Sequence, residues 1–214
     1  MRAKHAALLL AAALGVLAPP SAHAQPEWAW RKQPSVVVIG VDGDARIALV
    51  DEAIGYWNRV LEETGSPFRL PAATRVDLPI PEQALQELSA AVLSRRRPVQ
   101  VPQELRGLPG DLTVLLAQSS FISFAGPFDP EGKRVVGIRA LHAPWVKLPN
   151  VARNLIAHEL GHAIGLRHNA DPAMLMCGRP APCRPADFAS DREHYFPVTD
   201  DERRALLRMY PPAQ

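Results

Sequence analysis

The stretch NLIAHELGHAIGLRHN (154–169) holds three of the chain's seven histidines within eleven positions. Leu155, Ile156, Leu160 and Ile164 give it the three-and-four spacing of a helix, with Asn150 as the expected N-cap. On a helix His158 and His162, four apart, lie on one face one turn from each other. Two neutral imidazoles held that way reach one zinc ion at about 2.0–2.1 Å. Glu159 is next in sequence, so it points beside the metal, which suits a base acting on water. Gly165 tolerates the left-handed conformation that ends a helix in a sharp turn. His168, three residues on, then approaches the same ion from outside the helix. Three nitrogens leave the fourth zinc position open, as a catalytic site requires; a structural zinc wants four protein ligands, and no fourth is offered nearby.

The pair H-E-x-x-H alone arises by chance. The full string H-E-x-x-H-x-x-G-x-x-H fixes five residues in eleven, and histidines on a solvated helix fit it poorly. His142 and His194 stand outside the string and are read as isolated polar residues.

Working outward, PSVVVIGVDG (34–43) is β-branched, closed by turn residues, and predicts a strand. Asp44 can cap a following helix on which Ile47, Val50, Ile54, Trp57 and Leu61 recur at helical spacing until Gly65 and Pro67. A second helix is expected from Pro81 to about Arg96, with Leu85, Leu88 and Val92 inward. DLTVLLA (111–117) reads as a buried strand. KRVVGIRAL (133–141) mixes charge into its pattern, as an edge strand often does, and QSSFISFAGPFDPEG (118–132) reads as a loop. The basic run SRRRP (94–98) is a solvated end that complements the helix dipole.

With 214 residues, 47% of them hydrophobic and 21% charged, the chain suits one soluble domain with a real core, and 22 prolines suggest long, fixed loops. Residues 1–24 have the pattern of an export signal: a basic start (MRAKH), an apolar run too short to span a bilayer comfortably, and a small-residue site ending at Ala24. An uncleaved anchor or a buried helix is the alternative. Removing Arg2 and Lys4 leaves 22 basic against 22 acidic residues, so nothing supports a nucleic-acid partner. The expected organisation is a signal peptide (1–24), a short amino-terminal segment (25–34) and a single catalytic domain (35–214), exported to the periplasm or outside the cell, without a membrane span, as a monomer.

The histidine string, with Met176 eight residues past the last histidine, resembles the metzincin metallopeptidases and, within them, the matrixins. VTDDERRALLRMYP (198–211) is similar to their final helix, and Thr199 and Glu202 form a capping box there. The resemblance implies an α+β, zincin-like fold: a twisted mixed sheet with two long helices and a C-terminal helix. It also implies Met176 as the Met-turn residue beneath the metal, and pairing of an extended substrate along the edge strand near Val135–Arg139. GPFDPEG (126–132) is similar to a calcium loop of that group, with Asp129 and Glu131 as candidate ligands; a plain turn explains it as well. Matrixins carry a pro-segment whose cysteine blocks the zinc. Residues 25–34 hold no cysteine, so activity is expected once the signal is removed.

Function follows as zinc-dependent hydrolysis of peptide bonds. Glu159 takes a proton from the attacking water and delivers it to the leaving amine. A hydrolase for a cell-wall or other non-protein amide, and a catalytically idle zinc-binding module, are the alternatives. The chain's two cysteines, Cys177 and Cys183, are expected to form a disulfide. In the family the segment after the Met-turn walls the pocket beyond the scissile bond, and the bridge would fix that wall. A rival reading makes one thiolate an inhibitory fourth zinc ligand.

Overall fold

A computed structural model describes residues 29–94, 99–126, 132–142, 145, 148–178, 181–183 and 189–212. The export signal, the candidate calcium ligands Asp129 and Glu131, and most of the basic run at 94–98 lie outside them.

Five strands form one sheet: β1 (Val36–Ile39), β2 (Thr74–Arg75), β3 (Leu112–Leu116), β4 (Phe124–Ala125) and β5 (Arg134–Ile138), in the order β2-β1-β3-β5-β4. The first four neighbours run parallel, and β4 alone pairs antiparallel, Phe124 opposite Gly137 and Ala125 opposite Val136. The helices are α1 (Arg46–Glu63), α2 (Glu82–Leu93), α3 (Gln103–Arg106), α4 (Pro149–Ala163) and α5 (Asp200–Met209). The sheet is therefore mixed and carries two long helices, α1 and α4, as expected.

The central strands are buried from end to end because helices cover both faces. Side chains alternate between the faces with period two. Val36, Val38, Val114, Leu116, Val136 and Ile138 pack with Trp57 and Leu61 of α1 and Ile156 and Leu160 of α4 in the larger core. Val37, Ile39, Leu115 and Val135 meet Leu85 and Leu88 of α2 and Leu105 of α3 in a second, smaller one.

Three expectations need correction. The segment 133–141 is not the edge: β5 lies between β3 and β4, and all five of its residues are buried. Its charge misled because Arg134 turns inward, where its guanidinium stacks on the Trp30 ring at 3.8 Å. β2 forms the other edge, and on this side the edge is the two-residue β4, inside the stretch read as a loop. It needs Gly137, because the Phe124 ring crosses where a side chain there would project. Second, α4 starts one residue before Asn150, with Pro149 in its first turn, where a missing N–H costs nothing. The Asn150 side chain instead faces the segment after residue 189: Nδ2 donates to the carbonyls of Ser190 and Arg192, and Oδ1 accepts from the His194 N–H. Third, Asp44 does not cap α1 as its N-cap residue, which is Ala45; its carboxylate accepts from the Arg46 backbone and side chain. Beside that guanidinium, its pKa is lowered despite burial.

Candidate metal centre

Helix α4 is buried on nearly every side, so its register is fixed by packing all round rather than by one apolar stripe. Trp57 of α1 donates from Nε1 to the Ala157 carbonyl at 2.8 Å. Asn154, fully buried, accepts from the Phe196 N–H and donates to the carbonyls of Asn150 and His194. This framework sets the direction in which His158 and His162 leave the helix.

The helix ends as the glycine predicts. Gly165 has φ 102°, its N–H donates to the His162 carbonyl, and the Leu166 N–H donates back to Gly161. These are the two hydrogen bonds of a Schellman turn. The turn brings the Leu166 carbonyl to 2.8 Å from His162 Nδ1, while the Leu175 carbonyl lies 2.8 Å from His158 Nδ1.

Those two contacts decide the chemistry of the site. A carbonyl only accepts, so both Nδ1 atoms carry the proton, and in the neutral rings both Nε2 atoms present lone pairs. His168 Nε2 lies 3.1 Å from His158 Nε2 and 3.0 Å from His162 Nε2. A single proton on His168 can satisfy only one of those contacts. With that proton on Nδ1 instead, three lone pairs face one another unless a cation stands among them. Ligands about 2.0–2.1 Å from a tetrahedral zinc would be about 3.3 Å apart, close to these separations. The donor set therefore fits zinc. Among the described residues this is the one cluster of three or more such side chains whose ligating atoms fall within 4.8 Å of one another. Burial lowers the pKa of His162 to about 4 and also lowers that of His168, which favours the neutral form of both rings.

Glu159 is buried beside the triad, and burial raises its carboxyl to about 8, opposed by a hydrogen bond from the Ala125 backbone. That bond ties the acid to the edge strand β4. Both border a cleft of about 580 Å3 that is also lined by His162, His168, Val92, Leu93 and Ile122.

Met176 is fully buried under the motif. A Cβ added to Gly161 would lie 2.5 Å from its sulfur and 2.7 Å from Trp57, so position 161 has room only for hydrogen. Gly178 is tighter still: a Cβ there would overlap the His168 ring. In the string Gly161 occupies an unspecified position and Gly178 lies beyond it, so the motif points to neither. Asn169 adds a further link. Its N–H donates to the Met176 carbonyl, its carbonyl accepts from Gly178, and its Nδ2 donates to Glu202 at 2.6 Å. Glu202 also completes the expected capping box with Thr199, so the start of α5 braces the residue after the third histidine.

Cys177 and Cys183 are joined by a disulfide, which removes the thiolate reading. His142 and His194 lie away from the triad, hydrogen-bonded to Ser120 and to the Arg192 carbonyl rather than isolated. Among the described residues no helix is long and apolar enough to cross a membrane.

No family model matches the chain. No curated protein matches it. Among solved structures it is similar to the crystal structure of archaemetzincin from Methanopyrus kandleri, with 18% identity, 83% of this chain and 95% of that chain covered, and a TM-score of 0.48.

Proposed function

We propose that the protein is an exported, zinc-dependent endopeptidase of the zincin-like fold and matrixin type. The observation that carries this reading is the convergence of three imidazole Nε2 atoms, with protons fixed on the far nitrogens of two rings, beside one buried carboxyl. His158, His162 and His168 would hold the zinc. Bound there, the metal supplies Lewis acidity toward a peptide carbonyl and acidifies a water.

The rest is work for the chain's own groups. Glu159 takes the proton of the attacking water and passes it to the leaving amine. A carboxyl raised toward neutrality by burial is suited to carry a proton both ways. The cleft is open and runs along β4, so an extended chain can lie beside that strand and pair with its backbone. The exposed apolar side chains of Leu93 and Ile122 line the same cleft and suit the apolar side chains of a peptide. Met176 and Gly165 support the ligands from below and from the turn. The Cys177–Cys183 disulfide agrees with an oxidising compartment and hence with export.

The test is cleavage of a broad peptide library by purified 25–214, with metal content measured on the same sample. One zinc per chain is expected, and cleavage without further trimming. Glu159→Ala should retain zinc and fold while turnover falls about 10²–10⁴-fold, since the general base is gone. Near-normal turnover in that variant would assign the base elsewhere.

A further inference from the structure

The last carbonyls of an α-helix have no partner further along it. In α4 the Schellman turn occupies those of Gly161 and His162. The carbonyls of Ala163 and Ile164 remain, and they belong to the short span between the second and third histidines. Three residues from distant parts of the chain satisfy them. Trp30 Nε1–H donates to the Ala163 oxygen at 2.9 Å, Arg134 Nη1 donates to the same oxygen, and the Tyr210 hydroxyl donates to Ile164 at 2.9 Å. The three also hold one another. The Trp30 backbone N–H donates to the Tyr210 hydroxyl at 3.3 Å, and the Arg134 guanidinium lies 3.8 Å over the Trp30 ring. All three are buried.

We infer that Trp30 is a positioning residue for the metal centre, acting through the Ala163 carbonyl on the turn that joins His162 to His168, so that an intact amino-terminal segment sets how tightly the centre holds its metal. The inference rests on the zinc reading above. Ala163 follows His162 directly, and the Leu166 carbonyl that orients His162 Nδ1 is three residues further on. Without the Trp30 indole the buried Ala163 carbonyl loses one of its hydrogen bonds and is held through the Arg134 guanidinium, so the turn is tied less firmly. His162 and His168 would then lose their fixed separation. Trp30 is also the member of the three that lies beside an exposed, irregular stretch where one cut would remove it. It lies outside any helix or strand, and Arg31, Lys32 and Gln33 just after it are exposed. Trimming at those residues would loosen the centre without touching a ligand.

Four proteins test this: chains 25–214 and 31–214, Trp30→Phe, and Leu85→Ala as a control in the core on the far face of the sheet. Phenylalanine keeps a ring under Arg134 and lacks the N–H. The readouts are zinc dissociation constants by chelator competition and the visible spectrum of the cobalt-substituted chains. Trp30→Phe should bind zinc about tenfold more weakly, the lower end of what outer partners of metal ligands contribute, with shifted cobalt bands. Chain 31–214 should bind more weakly again. Leu85→Ala should be less stable and bind zinc as the parent does. Equal affinity of parent and Trp30→Phe overturns the inference, and this comparison decides alone if 31–214 does not fold. A zinc affinity that falls as far in Leu85→Ala as in Trp30→Phe overturns it too, since general destabilisation would then suffice. A parent that binds no metal overturns the zinc reading, and this one with it.

Discussion

Two histidines of the triad stand on a helix and the third on a loop, and the two halves are held by different means. His158 and His162 inherit their spacing from the α4 backbone, whose neighbours Asn154, Ile156 and Leu160 are fully buried. His168 is exposed and lies on no regular element. Its place comes from contacts far apart in sequence: Gly178 flat against its ring, Asn169 tied to Met176 and Gly178, and Glu202 reaching Asn169 from the start of α5. A periodic pattern is enough to place ligands on a helix. A loop ligand needs the rest of the fold to be finished first.

The sharpest break would come on the helical side. His162→Ala removes a ligand on a rigid support that no neighbour can replace, and zinc per chain should fall from one to none after desalting, as elemental analysis would read. Retained stoichiometric zinc would show that the helical pair is not the anchor. A smaller effect is expected on the loop side. Gly178→Ala sets a methyl group into the His168 ring and should weaken zinc ten- to a hundredfold by chelator competition. Proton chemical shifts of His158 and His162 in the metal-free protein should stay nearly unchanged, and movement of all three rings together would erase the distinction between the halves. The smallest effect concerns the brace. Thr199→Ala removes one side of the capping box while leaving Glu202 free to hold Asn169, so urea unfolding should show a loss of about 1 kcal/mol. Zinc affinity should not change; if it does, the cap and the third ligand are coupled more tightly than the contacts indicate.

Legibility in the sequence follows the same division. The helix, the pair at four residues, the glycine stop at 165 and the capping box are local patterns, and the structure contains each of them. Proximity in sequence likewise made the 177–183 bridge readable. The edge strand was not, because two residues, Phe124 and Ala125, are too few for alternation to register, and only the pairing with β5 defines them. Arg134 suggested an exposed edge, since nothing in its neighbourhood announces an aromatic ring more than a hundred positions earlier. Gly161 and Gly178 look like ordinary glycines until the groups pressed against them, Met176 and His168, are in place. Asn150 resembles a cap by type and instead serves the packing of a remote segment.

The closeness of the three histidines in sequence has a consequence for the unfolded chain. They span only eleven residues, so a disordered segment can still gather two of them around an ion without any help from the sheet. Metal that binds the unfolded state as well as the native one stabilises the native state only by the difference between the two affinities. Zinc should therefore raise the melting temperature of this protein by less than its native dissociation constant implies, and the shortfall measures how much of the chelate exists before folding.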